Sequence, residues 1–448
     1  MLKADSSTLI TMLKNYFKTA WRNIIKNKTF SFINIIGLAV SMAVCFSIIL
    51  IIADQKSYDR FRANKDRIYR VETVGKNGNE MRTASSALPL ADVLRKDYTG
   101  IEASAALVKK IGGDILYNDK IASGGGYFAD GNLFKVMDFK LKQGNAQTAL
   151  ENPFSMVIAE ELASQLFPGD NAIGKTIKFN DTGINPGGPE TGNRETTYGQ
   201  FIITGILAPD PGKTILPFKL LASLSTLNSL TKDSILNSSP NDWSNVWNNH
   251  TFVLMQKGKT QADLQNILDK VSDKQYPKGA NNQFAFKARN IAGIPGELIS
   301  NNTSFTVPKL MLIVLSVLCL VVMLSACLNY TNLSVARLLT RAKEVGVRKV
   351  AGATGKQIFA QFITEAVIVS LVSLVFSLFI LLLLQQLFAG LWFNTIFNIT
   401  FTHSPKLYLI FTGFSIAVGF IAGLLPAIYI SFFKPVDIFK SLNSIKLF

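Results

Sequence analysis

The sequence predicts an α-helical membrane protein with four transmembrane helices and a mixed α+β domain inserted between the first and the second. Three observations lead there. Apolar residues collect in four blocks, 32–53, 310–328, 366–389 and 407–430, each 19–24 residues long. A hydrocarbon core about 30 Å thick needs roughly 20 helical residues, so each block can span it. No apolar run of that length occurs between residues 54 and 306. The net charge of +16 is unevenly divided, with +5 on residues 1–53, +3 on 54–306 and +8 on 307–448. The excess therefore lies beside the apolar blocks, which is the pattern that orients membrane proteins, and the domain between them is almost balanced. A nucleic-acid partner is not expected, because a groove-binding protein carries its basic patch on the soluble domain.

Residues 1–30 are expected to form a cytoplasmic amphipathic helix. Lys14, Lys18, Arg22 and Lys26 recur every four residues, while Leu13, Phe17, Ala20, Trp21 and Ile24 fall on another face. Such a helix can lie in the bilayer interface with Trp21 at headgroup level, or pack on the cytoplasmic ends of the protein's own helices. Residues 31–53 form the first span. Its apolar core is longer than that of a secretory leader and no small-x-small cleavage site follows, so it is expected to stay as an anchor.

Residues 54–306 form the inserted domain. Strand periodicity appears at 69–74, 155–159, 176–179, 200–207, 250–256 and 283–288, and helical periodicity at 88–98, 160–167 and 260–274. That mixture is α+β. One subdomain is expected from the two flanks, about 54–115 and 245–306, with a second inserted between them. The stretches 181–197 and 233–241 are rich in turn residues and read as loops. Residues 169–176, Gly-Asp-Asn-Ala-Ile-Gly-Lys-Thr, match the spacing of a phosphate-binding loop. The context is reversed, however: such a loop follows a strand and opens a helix, whereas here a helix precedes and a strand follows. A turn entering a strand is the better reading. No enzyme constellation emerges. Gly-x-Ser-x-Gly is absent, and the only histidines are His250 and His403. Glu160 and Glu161 read as a solvated helix face. Cys45, Cys319 and Cys327 all lie in apolar blocks, so neither disulfides nor a metal cluster is expected in the domain.

The second span covers 307–330, with Pro308 suited to its first turn. No breaker follows until Gly346 or Gly352, so a helix over 308–351 would be about 65 Å long and must project beyond the bilayer or bend. Residues 331–357 form a basic loop in which Arg337, Arg341, Lys343, Arg348, Lys349 and Lys356 face one acid, Glu344. Gly352 suits a helix stop, and Thr354 with Gln357 suits a capping box for the next helix. The third span covers 358–389, with Glu365 near its start, where it could snorkel to the interface or act within the membrane. A short loop over 390–406, the fourth span over 407–430 and a tail over 431–448 complete the chain. The basic segments before span one, between spans two and three, and after span four share the cytoplasmic face. Both termini then lie inside and the large domain outside. The loop between spans two and three reads equally as a docking element for a cytoplasmic partner or as a basic loop on anionic lipid.

Residues 341–354, Arg-Ala-Lys-Glu-Val-Gly-Val-Arg-Lys-Val-Ala-Gly-Ala-Thr, resemble the signature of the MacB/FtsX permease family, the membrane subunits of ATP-binding-cassette systems of the macrolide-exporter, lipoprotein-release and cell-division type. The resemblance continues through 361–366, Gln-Phe-Ile-Thr-Glu-Ala, and returns at 422–427, Ala-Gly-Leu-Leu-Pro-Ala, and 434–437, Lys-Pro-Val-Asp. Residues 173–177, Ile-Gly-Lys-Thr-Ile, are similar to that family's strand-entry motif. Tyr58-Asp59-Arg60-Phe61 and Arg67-Ile68-Tyr69-Arg70-Val71 resemble the version common in Bacteroidetes-type bacteria. The resemblance implies a MacB-like periplasmic domain at 54–306, an FtsX-like permease domain at 307–448 and a bacterial inner-membrane location. It implies a non-enzymatic subunit that binds no cofactor, while a separate cytoplasmic ABC ATPase uses ATP and Mg²⁺. The ATPase would dock on Arg341, Lys343, Glu344, Val345, Gly346, Arg348, Lys349, Gly352, Ala353 and Thr354, with the four cations meeting acids on the partner and the first and second spans passing motion outward. No ATPase domain is on this chain. Permeases of this type often hold two four-span halves, so a homodimer, or pairing with a second half, is expected, and a periplasmic adaptor is a further candidate partner. The work could be efflux, lipoprotein release or cell-envelope regulation. A membrane-anchored sensor signalling inward is the alternative with the same topology.

Overall fold

The computed structural model describes residues 16, 18–20, 22–76, 81–181, 196–232, 241–277, 283–388 and 405–432. These form two compact units, one from the described residues within 1–54 and 309–448, the other Gln55–Pro308. Helix α1 (Lys28–Gln55) follows helical residues 18–20 and 22–26. Its Leu38, Met42, Cys45 and Phe46 are spaced three to four residues apart and buried together, while Phe32, Ile33 and Val40 are exposed. An apolar helix that buries one stripe and exposes an equally apolar remainder is built for lipid rather than water.

The α+β unit runs β1 (Ile68–Gly75), β2 (Arg82–Thr83), α2 (Leu90–Asp97), β3 (Ile101–Tyr117), β4 (Lys120–Ala129), α3 (Asn132–Met137), β5 (Leu141–Gly144), β6 (Ser155–Ala159), α4 (Glu160–Leu166), β7 (Thr176–Asp181), β8 (Thr196–Leu207), β9 (Leu220–Ser223), α5 (Leu224–Lys232), β10 (Asn249–Met255), α6 (Gln261–Gln275) and β11 (Phe284–Asn290). One mixed sheet orders them β11-β1-β10-β3-β4-β9-β6-β8-β5, with β2 on β1 and β7 bridging β3 and β8. Strands from the two flanks are neighbours, and the insert's strands continue the same sheet beyond β3 rather than standing apart. Period-two alternation explains why the flank strands are buried on both faces. On β10, Val253 and Met255 meet Leu90 and Leu94 of α2 and Leu264 and Leu268 of α6, while Phe252 and Leu254 meet Leu133 and Phe134 of α3. A further core gathers α4 and α5 against β4, β6, β7 and β8.

Two buried ionic clusters fasten this unit. Arg62 donates to Asp59 (2.6 Å), Asp210 (3.1 Å) and Thr214 (3.0 Å), and to the Met137 carbonyl. Its guanidinium lies over the rings of Phe61 (4.8 Å) and Phe139 (4.5 Å). Arg70 of β1 donates to Glu72 (2.7 Å) and to Asn302 (2.7 Å). Arg82 bridges Glu72 and Glu297, each at 2.8 Å. The loop at 169–176 is a turn with Gly169 and Gly174 at positive φ. It follows α4 and enters β7, so its backbone amides do not open a helix and it is not a phosphate loop. The turn-rich stretch 182–195 and residues 233–240 lie outside the described residues.

The remaining helices are α7 (Lys309–Ala336), α8 (Leu338–Val350), α9 (Gly355–Phe388) and α10 (Pro405–Phe432). Together with α1, α7, α9 and α10 are long and apolar enough to cross a membrane. Of the two outcomes expected for a helix over 308–351, projection or a bend, the structure shows a break in regularity between α7 and α8. The helix divides at Arg337, whose N–H bonds to the Ser334 carbonyl (3.2 Å) and whose guanidinium sits 3.8 Å from the centre of the Phe30 ring on α1. No helix breaker stands there, and Arg337 itself keeps α-region backbone angles, φ −85° and ψ −11°.

In α10, Pro426 removes the N–H that would serve the Ala422 carbonyl four residues back. The Thr331 hydroxyl of α7 donates to that carbonyl at 3.0 Å, restoring the bond inside an apolar bundle where an orphan is costly. Gly419 and Gly423 let α10 approach α9 closely: a Cβ on Gly419 would lie 2.7 Å from the Val367 Cα, and one on Gly423 2.6 Å from the Ala366 Cβ. Small residues four apart are the usual route to backbone contact between membrane helices. Ser370 and Ser415 exchange hydroxyl-to-carbonyl bonds across the same seam at 2.6 and 2.9 Å.

Candidate functional site

Residues 341–354 fold into the end of α8, a tight turn and the start of α9. The turn is closed by two bonds, from the Gly352 N–H to the Lys349 carbonyl (3.0 Å) and from the Ala353 N–H to the Arg348 carbonyl (2.9 Å). This is the Schellman arrangement, which needs a left-handed residue after the helix. Gly352 supplies it at φ +94°. A side chain there would have open space, so the requirement is purely one of backbone. The next helix starts with reciprocal bonds: the Thr354 N–H donates to the Gln357 amide oxygen (2.9 Å), and the Gln357 N–H to the Thr354 hydroxyl (3.4 Å). Turn and cap together set the angle between α8 and α9.

Three of the cations expected to meet a partner have partners within the chain. Arg341 makes a two-pronged pair with Glu365, both N–O distances being 2.9 Å, and the side chains are only 19% and 14% exposed. The Asn23 amide adds a long third bond to Glu365, at 3.4 Å. Burial opposes the charge on Arg341, but Glu365 outweighs it and holds the guanidinium charged. Arg348 donates to Gln361 (2.7 Å) and to Glu344 (2.6 Å). Lys349 donates to the Ser431 carbonyl (2.9 Å), in the last turn of α10, where a cation also meets the negative end of the helix dipole. Val345 packs with Ile358 and Ile430, and Ala353 packs against them. Gly346 is buried. Each of these three cations thus has a hydrogen-bond partner within the chain. The sequence offered Glu365 as a lone acid near a span but not its match with Arg341, because the two are 24 residues apart.

What α8 leaves open is different. Glu344, Val347 and Val350 lie on one face at helical spacing, with Val347 71% and Val350 77% exposed and Glu344 about half exposed. The turn at Ala351 and Gly352, with Thr354 and Lys356, continues this face. Val347 and Val350 thus form an exposed apolar pair on a helix whose opposite side is bonded down. Lys18, Arg22 and Lys26 are exposed, while Lys14, Trp21 and the Lys343 side chain lie outside the described residues.

The α+β unit carries a groove of about 1580 Å³ lined by α2, α3 and α5, including Asp92, Arg95, Asp130, Lys135, Phe139 and Leu227. Its charges pair with one another, as Arg95 does with Asp92 and Asp130 and Lys135 with Glu102. Burial raises the Asp130 carboxyl above its ordinary range, against the hydrogen bonds it accepts. The walls come from segments far apart in the chain, so no local pattern announces it. Among the described residues no group of three or more His, Cys, Asp or Glu is placed to hold a metal ion.

Comparison with known proteins gives two family matches along the chain. Residues 31–271 match the family model of the MacB-like periplasmic core domain, and residues 316–435 that of the FtsX-like permease C-terminal region. An uncharacterized ABC transporter permease of Bacillus subtilis strain 168, YvrN, is 21% identical over 439 residues, covering 94% of this chain and 98% of that protein. A domain of a protein named as a permease from Porphyromonas gingivalis is 16% identical, covering 52% of this chain and 95% of that one at a TM-score of 0.40. The periplasmic region of MacB from Actinobacillus actinomycetemcomitans is 17% identical, covering 51% and 92% at a TM-score of 0.34. With more than half of its length in the first family model and most of the rest in the second, the chain belongs to the MacB/FtsX-type family of ABC transporter permeases.

Proposed function

We propose that this chain is a non-enzymatic permease subunit that docks a cytoplasmic ABC ATPase on the open face of α8 and transmits ATP-driven motion to its α+β domain. The ATPase hydrolyses ATP with Mg²⁺ as its cofactor, and this chain binds neither. The observation that carries the reading is the exposed Val347–Val350 face, presented on a helix whose other side is held by Arg341, Val345, Arg348 and Lys349. A face that is apolar, rigidly mounted and next to two spans can accept a push without yielding. The basic segments at 14–28, 337–356 and 434–446 favour both termini and α8 inside, with the domain inserted between the first two spans and periplasmic, in a bacterial inner membrane. Four spans pairing with a second copy or with another half would complete the unit, and an adaptor in the periplasm would extend it. The work driven would be efflux, lipoprotein release or cell-envelope regulation.

The test is co-purification of the ATPase with the full chain. Val347→Asp with Val350→Asp is expected to abolish it, as is Glu344→Arg with Gly352→Pro, while the permease stays monodisperse. Retention of the ATPase by a well-folded Val347→Asp/Val350→Asp variant overturns the docking assignment. The groove in the α+β unit favours a second reading, a periplasmic sensor signalling inward, which requires no ATPase at α8.

A further inference from the structure

We infer that α8 belongs mechanically to α9 and α10 and not to α7, so that a push on Val347 and Val350 enters the bundle through the third and fourth spans. Arg341 and Glu365 are then positioning residues that weld the docking helix to the third span. The inference rests on the reading of α8 as the docking element, but its geometry stands apart from it. It places the third and fourth spans ahead of the first and second, which were expected to pass the motion outward.

The seam between α8 and α9 is complementary residue by residue. On α8, Arg341, Val345 and Arg348 fall at helical spacing, and on α9 so do Ile358, Gln361, Phe362 and Glu365. Across the seam Arg341 pairs with Glu365 at 2.9 Å, Val345 packs in one cluster with Ile358 against which Phe362 also lies, and Arg348 bonds to Gln361 at 2.7 Å. The turn between the two helices is doubly hydrogen-bonded at its helix stop and reciprocally capped at its helix start. Lys349 ties the same helix to the end of α10 through the Ser431 carbonyl. On the α7 side the helix is interrupted at Arg337, whose guanidinium is committed to the Phe30 ring of α1.

Beyond α9 the packing is continuous. Gly419 and Gly423 bring α10 to backbone contact with α9, and the paired serines 370 and 415 fix the register. From α10, the Thr331 bond to Ala422 reaches α7, and the Phe411 ring stacks on Phe46 of α1 at 4.1 Å. The helices that flank the α+β domain in the chain are therefore reached sideways, from α10. Spatial continuity names a route; whether α8 is held by α9 or by α7 is a matter of free energy, and hydrogen exchange measures it.

The experiment follows amide exchange over residues 341–350 in the full chain in lipid nanodiscs, with no ATPase present. Glu365→Gln is expected to speed exchange there about tenfold, because it leaves Arg341 partly buried without its counter-charge. Arg341→Lys keeps the charge but loses the fork, and should give a smaller rise in the same segment. The double exchange Arg341→Glu with Glu365→Arg should recover much of the protection, which a merely structural loss would not do. Ala336→Gly with Arg337→Gly, which loosens the junction to α7, should leave 341–350 close to wild type. The inference is overturned if Glu365→Gln and Arg341→Lys both leave exchange unchanged, or if the junction variant loosens α8 as much as Glu365→Gln does. Failure of the docking reading shows separately, as an ATPase that stays bound to the Val347→Asp/Val350→Asp variant.

Discussion

Single residues hold this molecule where chemistry leaves no substitute. Gly352 is one. Its φ of +94° lies in the left-handed region, and open space surrounds it, so a methyl group would be strained without clashing. Gly352→Ala should destabilise the turn by about 1 kcal/mol and Gly352→Asn by less, read as faster exchange at residues 348–353. Glu72 is another. Its burial alone would raise the carboxyl, but Arg70 and Arg82 outweigh that and hold it below the usual carboxylate range. Because the folded value is depressed, its stabilisation is complete above the unfolded value of about 4.3 and is lost as pH falls through the lower folded value. Thermal melting of the full chain should therefore drop as pH is lowered below about 4.3. Glu72→Gln should flatten that acid slope and cost about 3–5 kcal/mol at neutral pH by leaving Arg70 unpaired in the core. An acid slope unchanged by Glu72→Gln would assign it to other carboxylates.

Helices and strands show how far local sequence can carry. The four apolar blocks were legible because twenty apolar residues have few other uses, and the helix stop and cap at Gly352 and Thr354 were legible because both motifs are local. The hairpin of β3 and β4 was not. Ala103, Ala105, Ala106 and the run Gly124–Gly126 are poor strand formers, and pairing demands them: a Cβ on Gly126 would lie 1.7 Å from the Leu220 carbonyl oxygen of β9. The junction at Arg337 was hidden for the converse reason, since no residue around it disfavours helix. The glycines of α10 turn this contrast into a measurement. A methyl added at Gly413 would meet nothing within 4 Å, whereas one at Gly419 would lie 2.7 Å from the Val367 backbone. Gly413→Ala should be neutral or add up to about 1 kcal/mol through helix propensity. Gly419→Ala should lower the melting temperature by forcing α9 and α10 apart. Thr331→Val should cost about 1 kcal/mol by orphaning the Ala422 carbonyl beside Pro426. Equal effects of the two alanine substitutions would show that the α9–α10 seam is not tightly packed.

At the scale of the whole chain, the pairing of Arg341 with Glu365 and of Arg348 with Gln361 lay beyond local reading, since each contact joins helices whose meeting only the folded bundle decides. Charge placement, by contrast, is a property of the sequence alone, and it makes a prediction about the membrane. Residues 1–53 carry +5 and residues 307–448 carry +8, while the 253 residues between them carry only +3. Loops rich in Lys and Arg stay inside because moving them outward is costly. One span, α7, separates the α+β unit from α8 along the chain, so Glu151 on the domain surface and Lys356 after the turn, both exposed, should face opposite compartments. In a variant with Cys45, Cys319 and Cys327 replaced by Ala, a single cysteine at Glu151 should react with a membrane-impermeant maleimide in intact spheroplasts. A single cysteine at Lys356 should react only after permeabilisation. Labelling of both from outside, or of neither, would mean that α7 does not cross the bilayer between them. The reverse pattern would leave the span in place and turn α8 away from any cytoplasmic ATPase.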